Sequence, residues 1–319
     1  MSELDPFYAI GNSSTPGSSD GEEDFYVNLA PIYLIGGALS LVGAAAVLLV
    51  FCGGQHANRV WSSHTSQVIL FITVCEALFT FRYFLAAAAW FAGFKNERDS
   101  FHIIPDKCWS ASLWGQFFAV SSVVWNACWI AELVAILHSP LRNTRSFQRY
   151  YHIAAWGLGT LTTAVLVFRQ APEQSRDHDC WILGDTEHQV LFEIPLYLTL
   201  LLALLSLIYA VYQRTVGTAY SWRLRERLVK RHSVYVLAFV IMWAIPTVHA
   251  RVDPDDKYIV FTMLDAICLS TQTVVLSVVR LTEPGAMRVL EAITKSTVLR
   301  CCKCFYVRAL WVGSEWGLR

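Results

Sequence analysis

Seven apolar runs dominate the chain, at residues 28–51, 66–91, 109–137, 150–168, 190–212, 233–250 and 258–281. A bilayer core about 30 Å thick takes roughly 20 helical residues to cross, and every run is close to that length. Inside lipid each backbone amide must be bonded within its own segment, so the runs are expected to be α-helices. Barrel strands would be about half as long and would alternate apolar with polar residues. The predicted fold class is therefore an all-α membrane protein, a seven-transmembrane helix bundle. Charged residues make up 16% of the chain, against about 25% in soluble proteins, which excludes an ordinary pair of soluble domains. Several of the 12 Trp and 13 Tyr lie near run ends, where a ring with one apolar and one polar edge suits the membrane interface.

Seven crossings put the termini on opposite sides, and the Lys/Arg bias decides which is which. With the N-terminus outside, the inner segments 52–65, 138–149, 213–232 and 280–319 carry 17 basic and four acidic residues. The outer segments carry seven basic and 17 acidic residues. The expected localisation is the plasma membrane, with an extracellular N-terminus and a cytoplasmic C-terminus. Net charge is zero, which gives no electrostatic basis for a nucleic-acid partner.

Residues 1–26 are polar and acidic and lack the basic start and apolar core of a signal peptide; they are expected to be a disordered extracellular tail. Asn12 opens an Asn-Ser-Ser glycosylation sequon. The bundle is expected over 27–282, with outer loops at 92–107, 169–189 and 251–257. Residues 213–232 form a basic helical extension on the inner face, including Arg223, Arg225 and Arg227. Over 283–300, Ala286, Val289, Leu290 and Ile293 fall at helical spacing opposite Arg288, Glu291 and Lys295. That pattern predicts a short amphipathic helix on the inner leaflet. A cytoplasmic tail, 301–319, begins with Cys301, Cys302 and Cys304, candidates for palmitoylation beside such a helix. Among the nine cysteines only Cys108 and Cys180 fall in outer segments, where oxidation is favoured. They are expected to form a disulfide that pins the second outer loop across the bundle mouth.

Charges inside the membrane are costly, roughly 2.5–3.5 kcal/mol each at the centre on insertion scales, so each should face the interior with a partner. Five ionisable residues are placed within the spans: Glu76, Arg82, Glu132, Glu193 and Asp265. At 1.5 Å per residue, Arg82 and Asp265 share a level, so they are expected to pair or to contact a ligand jointly. Glu193, Trp181 and His249 border the same outer mouth. Glu76 is deeper, level with Asn126 and Gln272, in a polar cluster suited to a change between two states or to plain helix-to-helix hydrogen bonding. Glu132 nears the inner end of the third span and is expected to join an inner lock with Arg142 or the sixth span. Trp243 and Pro246 mark a kink in the sixth span, because proline removes one backbone hydrogen bond. Gly36, Ser40 and Gly43, and Gly157 and Gly159, are expected to allow close helix approach.

The segment Cys180-Trp181-Ile182, with a cysteine at the head of the third span, resembles the second outer loop of the cyclic-AMP receptors of social amoebae, a G-protein-coupled family that borders the secretin-like receptors. Tyr150-Tyr151-His152 through Trp156-Gly157 is similar to that family's fourth span. Asn126-Ala127-Cys128-Trp129, His138, Trp243, Leu269-Ser270 and Pro284 have counterparts in order. The chain lacks the Asp-Arg-Tyr and Asn-Pro-x-x-Tyr of rhodopsin-like receptors and has Glu283-Pro284 after the seventh span. The resemblance implies a G-protein-coupled receptor that binds an extracellular ligand and activates a heterotrimeric G protein. Arg142, Arg145 and the arginines at 223, 225 and 227 would then meet the G protein, beside Glu132.

Other classes fit less well. A retinal protein needs a lysine in the last span, and 258–281 has none. A metal enzyme needs grouped His and carboxylate ligands; no two of the nine His share a turn within a span. No cofactor is expected. A seven-helix transporter, or a membrane protein without G-protein coupling, remains the alternative. The acidic outer face suits a cationic or peptide ligand, whereas Arg82 and Arg169 suit an anion such as a phosphate.

Overall fold

Each apolar run forms a helix, and all seven are long and apolar enough to cross a membrane. In chain order they are α1 (Ser19–Cys52), α2 (His64–Phe91), α3 (Pro105–His138), α4 (Gln148–Arg169), α5 (Ile194–Val216), α6 (Ala219–Val252) and α7 (Ile259–Leu281). The computed structural model describes residues 19–52, 64–91, 105–138, 147–169, 172–174, 180–182, 189–216, 219–252 and 259–282.

The bundle is closed by α1, which packs on both α2 and α7, and α3 runs through its middle against α2, α4, α5 and α6. Burial is reversed relative to a soluble helix. On α5 the inward stripe is Leu196, Thr199, Ala203, Ser206 and Ala210, while Leu198, Leu201, Leu205, Ile208 and Val211 point outward. Small and hydroxyl side chains let backbones approach, and the aliphatic ones face lipid. Ser, Thr, Asn, Gln and charged side chains are buried at many levels of the bundle.

Three local features differ from the sequence expectation. First, α1 begins at Ser19, inside the stretch 1–26 expected to be disordered. Second, the segment between α4 and α5 contains a hairpin. Strand β1 (Pro172–Gln174) pairs antiparallel with β2 (Cys180–Ile182), with Glu173 opposite Trp181 and Gln174 opposite Cys180; both strands lie against α3. Third, a π-helical turn, Gln189–Glu193, precedes α5. Four residues on, Pro195 has no N–H to offer the Leu191 carbonyl, which accepts a hydrogen bond from Gln116 Nε2 of α3 at 3.1 Å.

Small residues set the α1–α7 contact as expected. The Ser40 hydroxyl donates to the Ser270 carbonyl at 2.6 Å and accepts from the Val274 amide at 3.2 Å. A Cβ on Gly36 would overlap the Ser270 side chain, and one on Gly43 would sit 3.2 Å from Ser277 Cβ. On α4 only one of the two glycines behaves as expected. A Cβ on Gly159 would overlap the Ser121 hydroxyl and approach the Phe117 carbonyl to 3.1 Å, whereas one on Gly157 meets nothing within 4 Å. Gly157 therefore makes no close helix approach: two residues along an α-helix is a turn of about 200°, so the pair cannot share one face.

Candidate functional site

Polar side chains collect at two depths. The group on the side expected to be outer begins with Arg82 of α2, whose guanidinium lies 4.5 Å from the centroid of the Tyr83 ring and 5.4 Å from that of Phe79. Tyr33 of α1 stacks on Tyr83, and Phe79 continues to Trp243 of α6, which also meets Phe192. An aromatic wall thus runs from α1 through α2 to α6, with a cation on it. Across the bundle, His249 Nδ1 of α6 is 3.4 Å from Asp265 Oδ2 of α7, and its Nε2 is 3.4 Å from the Thr262 hydroxyl. Glu193 closes the π-helical turn, largely buried, and accepts a hydrogen bond from the Tyr197 hydroxyl at 3.2 Å. Asp265 therefore has His249 as a close partner, beyond the expected shared level with Arg82. The Cα–Cβ bond leans toward the helix N-terminus, so side chains on α2 and α7, which run in opposite directions, lean opposite ways.

The inner group is built on Glu76 of α2 and Arg280 of α7. Arg280 Nη2 lies 3.0 Å from Glu76 Oε2, with both side chains at most 2% exposed. Arg280 also donates from Nη1 to Thr73 Oγ1 at 2.8 Å and from Nη2 to the Tyr235 hydroxyl of α6 at 2.5 Å. That hydroxyl donates to Asn126 Oδ1 of α3 at 2.8 Å, and Asn126 Nδ2 donates to the Ser122 carbonyl at 2.9 Å. Nearby, the Thr80 and Thr273 hydroxyls share a hydrogen bond of 2.8 Å. Four helices meet in one network. Asn126 belongs to it, as its level suggested. Gln272 is buried, but its side-chain oxygen takes no hydrogen bond from the described residues.

Arg280, expected to open the last inner segment, 280–319, is instead buried inside the bundle. Its spacing from Thr273, Leu276 and Ser277, all buried, puts it on the inward face of α7, a signal that was readable. Tyr235 and His232 of α6 were missed in the same way. The His232 ring stacks on Trp129 of α3 at 4.4 Å. Glu132, buried, lies three residues after Trp129 on α3. Trp243 faces the interior, and Pro246 lies within the continuous helix α6.

Arg149 at the start of α4 and Arg214 at the end of α5 are exposed. The arginines at 223, 225 and 227 lie on the helical backbone of α6 before the apolar run; their side chains, and those of Cys108, Cys180 and Trp181, are outside the described residues. So are Asn12, Arg142, Arg145, the segment 283–300, and the cysteines at 301, 302 and 304. Among the described residues no group of three His, Cys, Asp or Glu is placed to hold a metal ion.

Comparison with known proteins adds two findings. The family model described as 7 transmembrane receptor (Secretin family) matches residues 26–276. A relative, Cyclic AMP receptor-like protein F of Dictyostelium discoideum, is 22% identical in a match of length 303 that covers 82% of this chain and 92% of the relative.

Proposed function

The chain belongs to the secretin family of seven-transmembrane receptors, and on that premise we propose that it binds an extracellular ligand at the outer polar group and activates a heterotrimeric G protein from its inner face. The observation that carries the ligand site is the gathering of ionisable side chains from three helices in the outer half of an apolar bundle: Arg82 on its aromatic wall, with His249 and Asp265 facing one another. Charges held at that depth are costly unless they serve packing or function. Glu193 and Trp181 complete the mouth.

The basic inner segments orient the chain with its N-terminus outside the plasma membrane. Arg142, Arg145, Arg223, Arg225 and Arg227 supply the positive surface for the G protein, next to Glu132. Cys108 and Cys180 form the outer disulfide; β2, which carries Cys180, packs on α3, which carries Cys108 in its first turns. Asn12 carries the glycan, and the cysteines at 301, 302 and 304 anchor the inner end by palmitoylation. A ligand shifts such a protein only through its different affinity for two arrangements.

The test is nucleotide exchange on G proteins in membranes that contain the wild type, Arg82→Ala or Cys108→Ser, against a ligand panel that includes cyclic AMP. Ligand-dependent exchange weakened by both substitutions is expected. No exchange with any ligand, at normal surface expression and beside a working control receptor, would move the chain to transport or to a membrane role without G-protein coupling.

A further inference from the structure

Helix α6 begins at Ala219, ahead of its apolar span His232–His249, so residues 219–231 form a helical arm of about 20 Å before that span. The arm carries Arg223, Arg225, Arg227, Lys230 and Arg231 against one carboxylate, Glu226. We propose that one face of this arm binds the head of a polyphosphorylated inositol phospholipid of the cytoplasmic leaflet, with Arg223, Arg227 and Lys230 as the headgroup contacts. The inference rests on the orientation proposed above, which puts the arm in the cytosol, and not on G-protein coupling.

Helical register divides the arm. Val229, His232, Tyr235, Val236 and Phe239 are buried and mark the face that α6 turns to the bundle. Lys230, Val234, Leu237 and Ile241 are exposed and mark the opposite, lipid-facing series. Positions 223, 227 and 230 continue that second series at steps of four and three, in line with 234 and 241. Position 225 continues the first, four residues before Val229 and seven before His232. Of the arginines at 223, 225 and 227, two thus share the lipid-facing register and one does not. Glu226, also exposed, stands on the flank of the lipid-facing series, one turn before Lys230, so three cations on that face meet one carboxylate.

One helix face is therefore basic ahead of the span and aliphatic within it. A phospholipid has the same order, with a charged head at the interface and acyl chains below. Val234, Leu237 and Ile241 offer the chains a continuous aliphatic stripe, and arginine and lysine suit the boundary because their stems bury while their charges stay wet. Charges that only fix topology have no reason to share a face, since that bias counts Lys and Arg near a span whatever their register. Positions 223 and 230 are two turns and about 10 Å apart. One phosphate does not cover that length, so the match is to a head with several phosphates rather than to phosphatidylserine. The cytoplasmic leaflet supplies anionic inositol lipids, and each basic residue near its surface adds to the attraction.

The experiment uses the full chain in phosphatidylcholine nanodiscs titrated with phosphatidylinositol bisphosphate, with bound lipid counted by native mass spectrometry. Arg227→Gln removes one charge from the lipid-facing register, and Arg225→Gln removes the same charge from the bundle-facing one. A basic residue near an anionic surface changes binding by about fivefold. Arg227→Gln and Lys230→Gln are each expected to weaken lipid binding by about that factor, while Arg225→Gln leaves it unchanged. Phosphatidylserine at equal total charge should compete poorly, and so should inositol trisphosphate, which has the head but no chains. Equal losses in Arg225→Gln and Arg227→Gln, or competition by phosphatidylserine or the free head that equals that of the whole lipid, overturn the assignment. Nanodiscs expose both bilayer faces, so this result depends neither on orientation nor on coupling. The side is read separately, by antibody access to a C-terminal tag in intact and permeabilised cells. A tag reached in intact cells overturns the orientation and takes the inositol lipid with it.

Discussion

The imidazole of His232 on α6 lies flat on the indole of Trp129 on α3, with ring centroids 4.4 Å apart and planes 6° from parallel. Both side chains are buried, and Tyr235 meets the same indole edge-on at 5.6 Å. The stack is therefore the apolar counterpart of the Tyr235–Asn126 hydrogen bond, joining the same two helices one turn further in. His232→Ala should leave a void beside Trp129 and destabilise the bundle by about 2–5 kcal/mol, the range for truncating a large buried side chain to alanine. His232→Phe keeps the stacked face and should recover most of that loss. Thermal unfolding of the purified protein decides it. Equal losses in the two variants would show that the ring nitrogens, not the face, hold the contact.

Gly157 and Gly159 offer a matched pair on one helix. Gly159→Ala places a methyl group against the Phe117 backbone and the Ser121 hydroxyl. The hydroxyl can rotate but the backbone cannot, so overpacking of about 1–3 kcal/mol is expected. Gly157→Ala fills open space and should be neutral or stabilising by up to about 1 kcal/mol, because alanine is the better helix former. Parallel melting curves test both, and a loss at Gly157 as large as that at Gly159 would contradict the packing described.

The spans were legible because composition alone decides them: a run of about 20 apolar residues has few alternatives. Side-chain partnerships were legible only where depth and direction agreed. Asn126 was placed with Glu76 correctly from level alone. Arg280 was not, because its Cα lies near the end of the run, where a basic residue resembles an inner anchor. The lean of side chains toward the helix N-terminus draws Glu76 inward on α2 and Arg280 outward on α7, and it closes a gap of about 10 Å between Thr273, level with Glu76, and Arg280. Helical spacing from Thr273 and Ser277 carried that information; the level count did not use it. The β1–β2 hairpin had no comparable signal, since strands of three residues show no alternation to detect.

Cys108 and Cys180 are proposed to form the outer disulfide, and the pairing makes a sharp prediction. Non-reducing peptide mapping should recover one fragment in which both cysteines are joined. Cys108→Ser, Cys180→Ser and the double variant should lower surface expression to the same extent, because each removes one and the same bond. A double variant that loses as much again as either single one would mean that the two thiols act separately.

Glu76 and Arg280 allow a double-mutant cycle inside the membrane. Glu76→Gln leaves the guanidinium with Thr73 and Tyr235 but no countercharge, and Arg280→Gln leaves the carboxylate without its cation. Breaking a buried pair from one side costs about 3–5 kcal/mol, enough to remove most of the protein from the cell surface, given a total stability of about 5–15 kcal/mol. The double variant Glu76→Gln/Arg280→Gln has two neutral amides that can bond to each other and to Thr73, Tyr235 and Asn126. Its loss should be smaller than the sum of the single losses, and smaller than either if the stranded charge dominates. Surface expression and thermal midpoint of the four proteins give the coupling directly. Additive losses would mean that the 3.0 Å contact contributes nothing beyond the two separate side chains, and the tie between α2 and α7 would then lie in the hydrogen bonds of Thr73, Thr80 and Thr273.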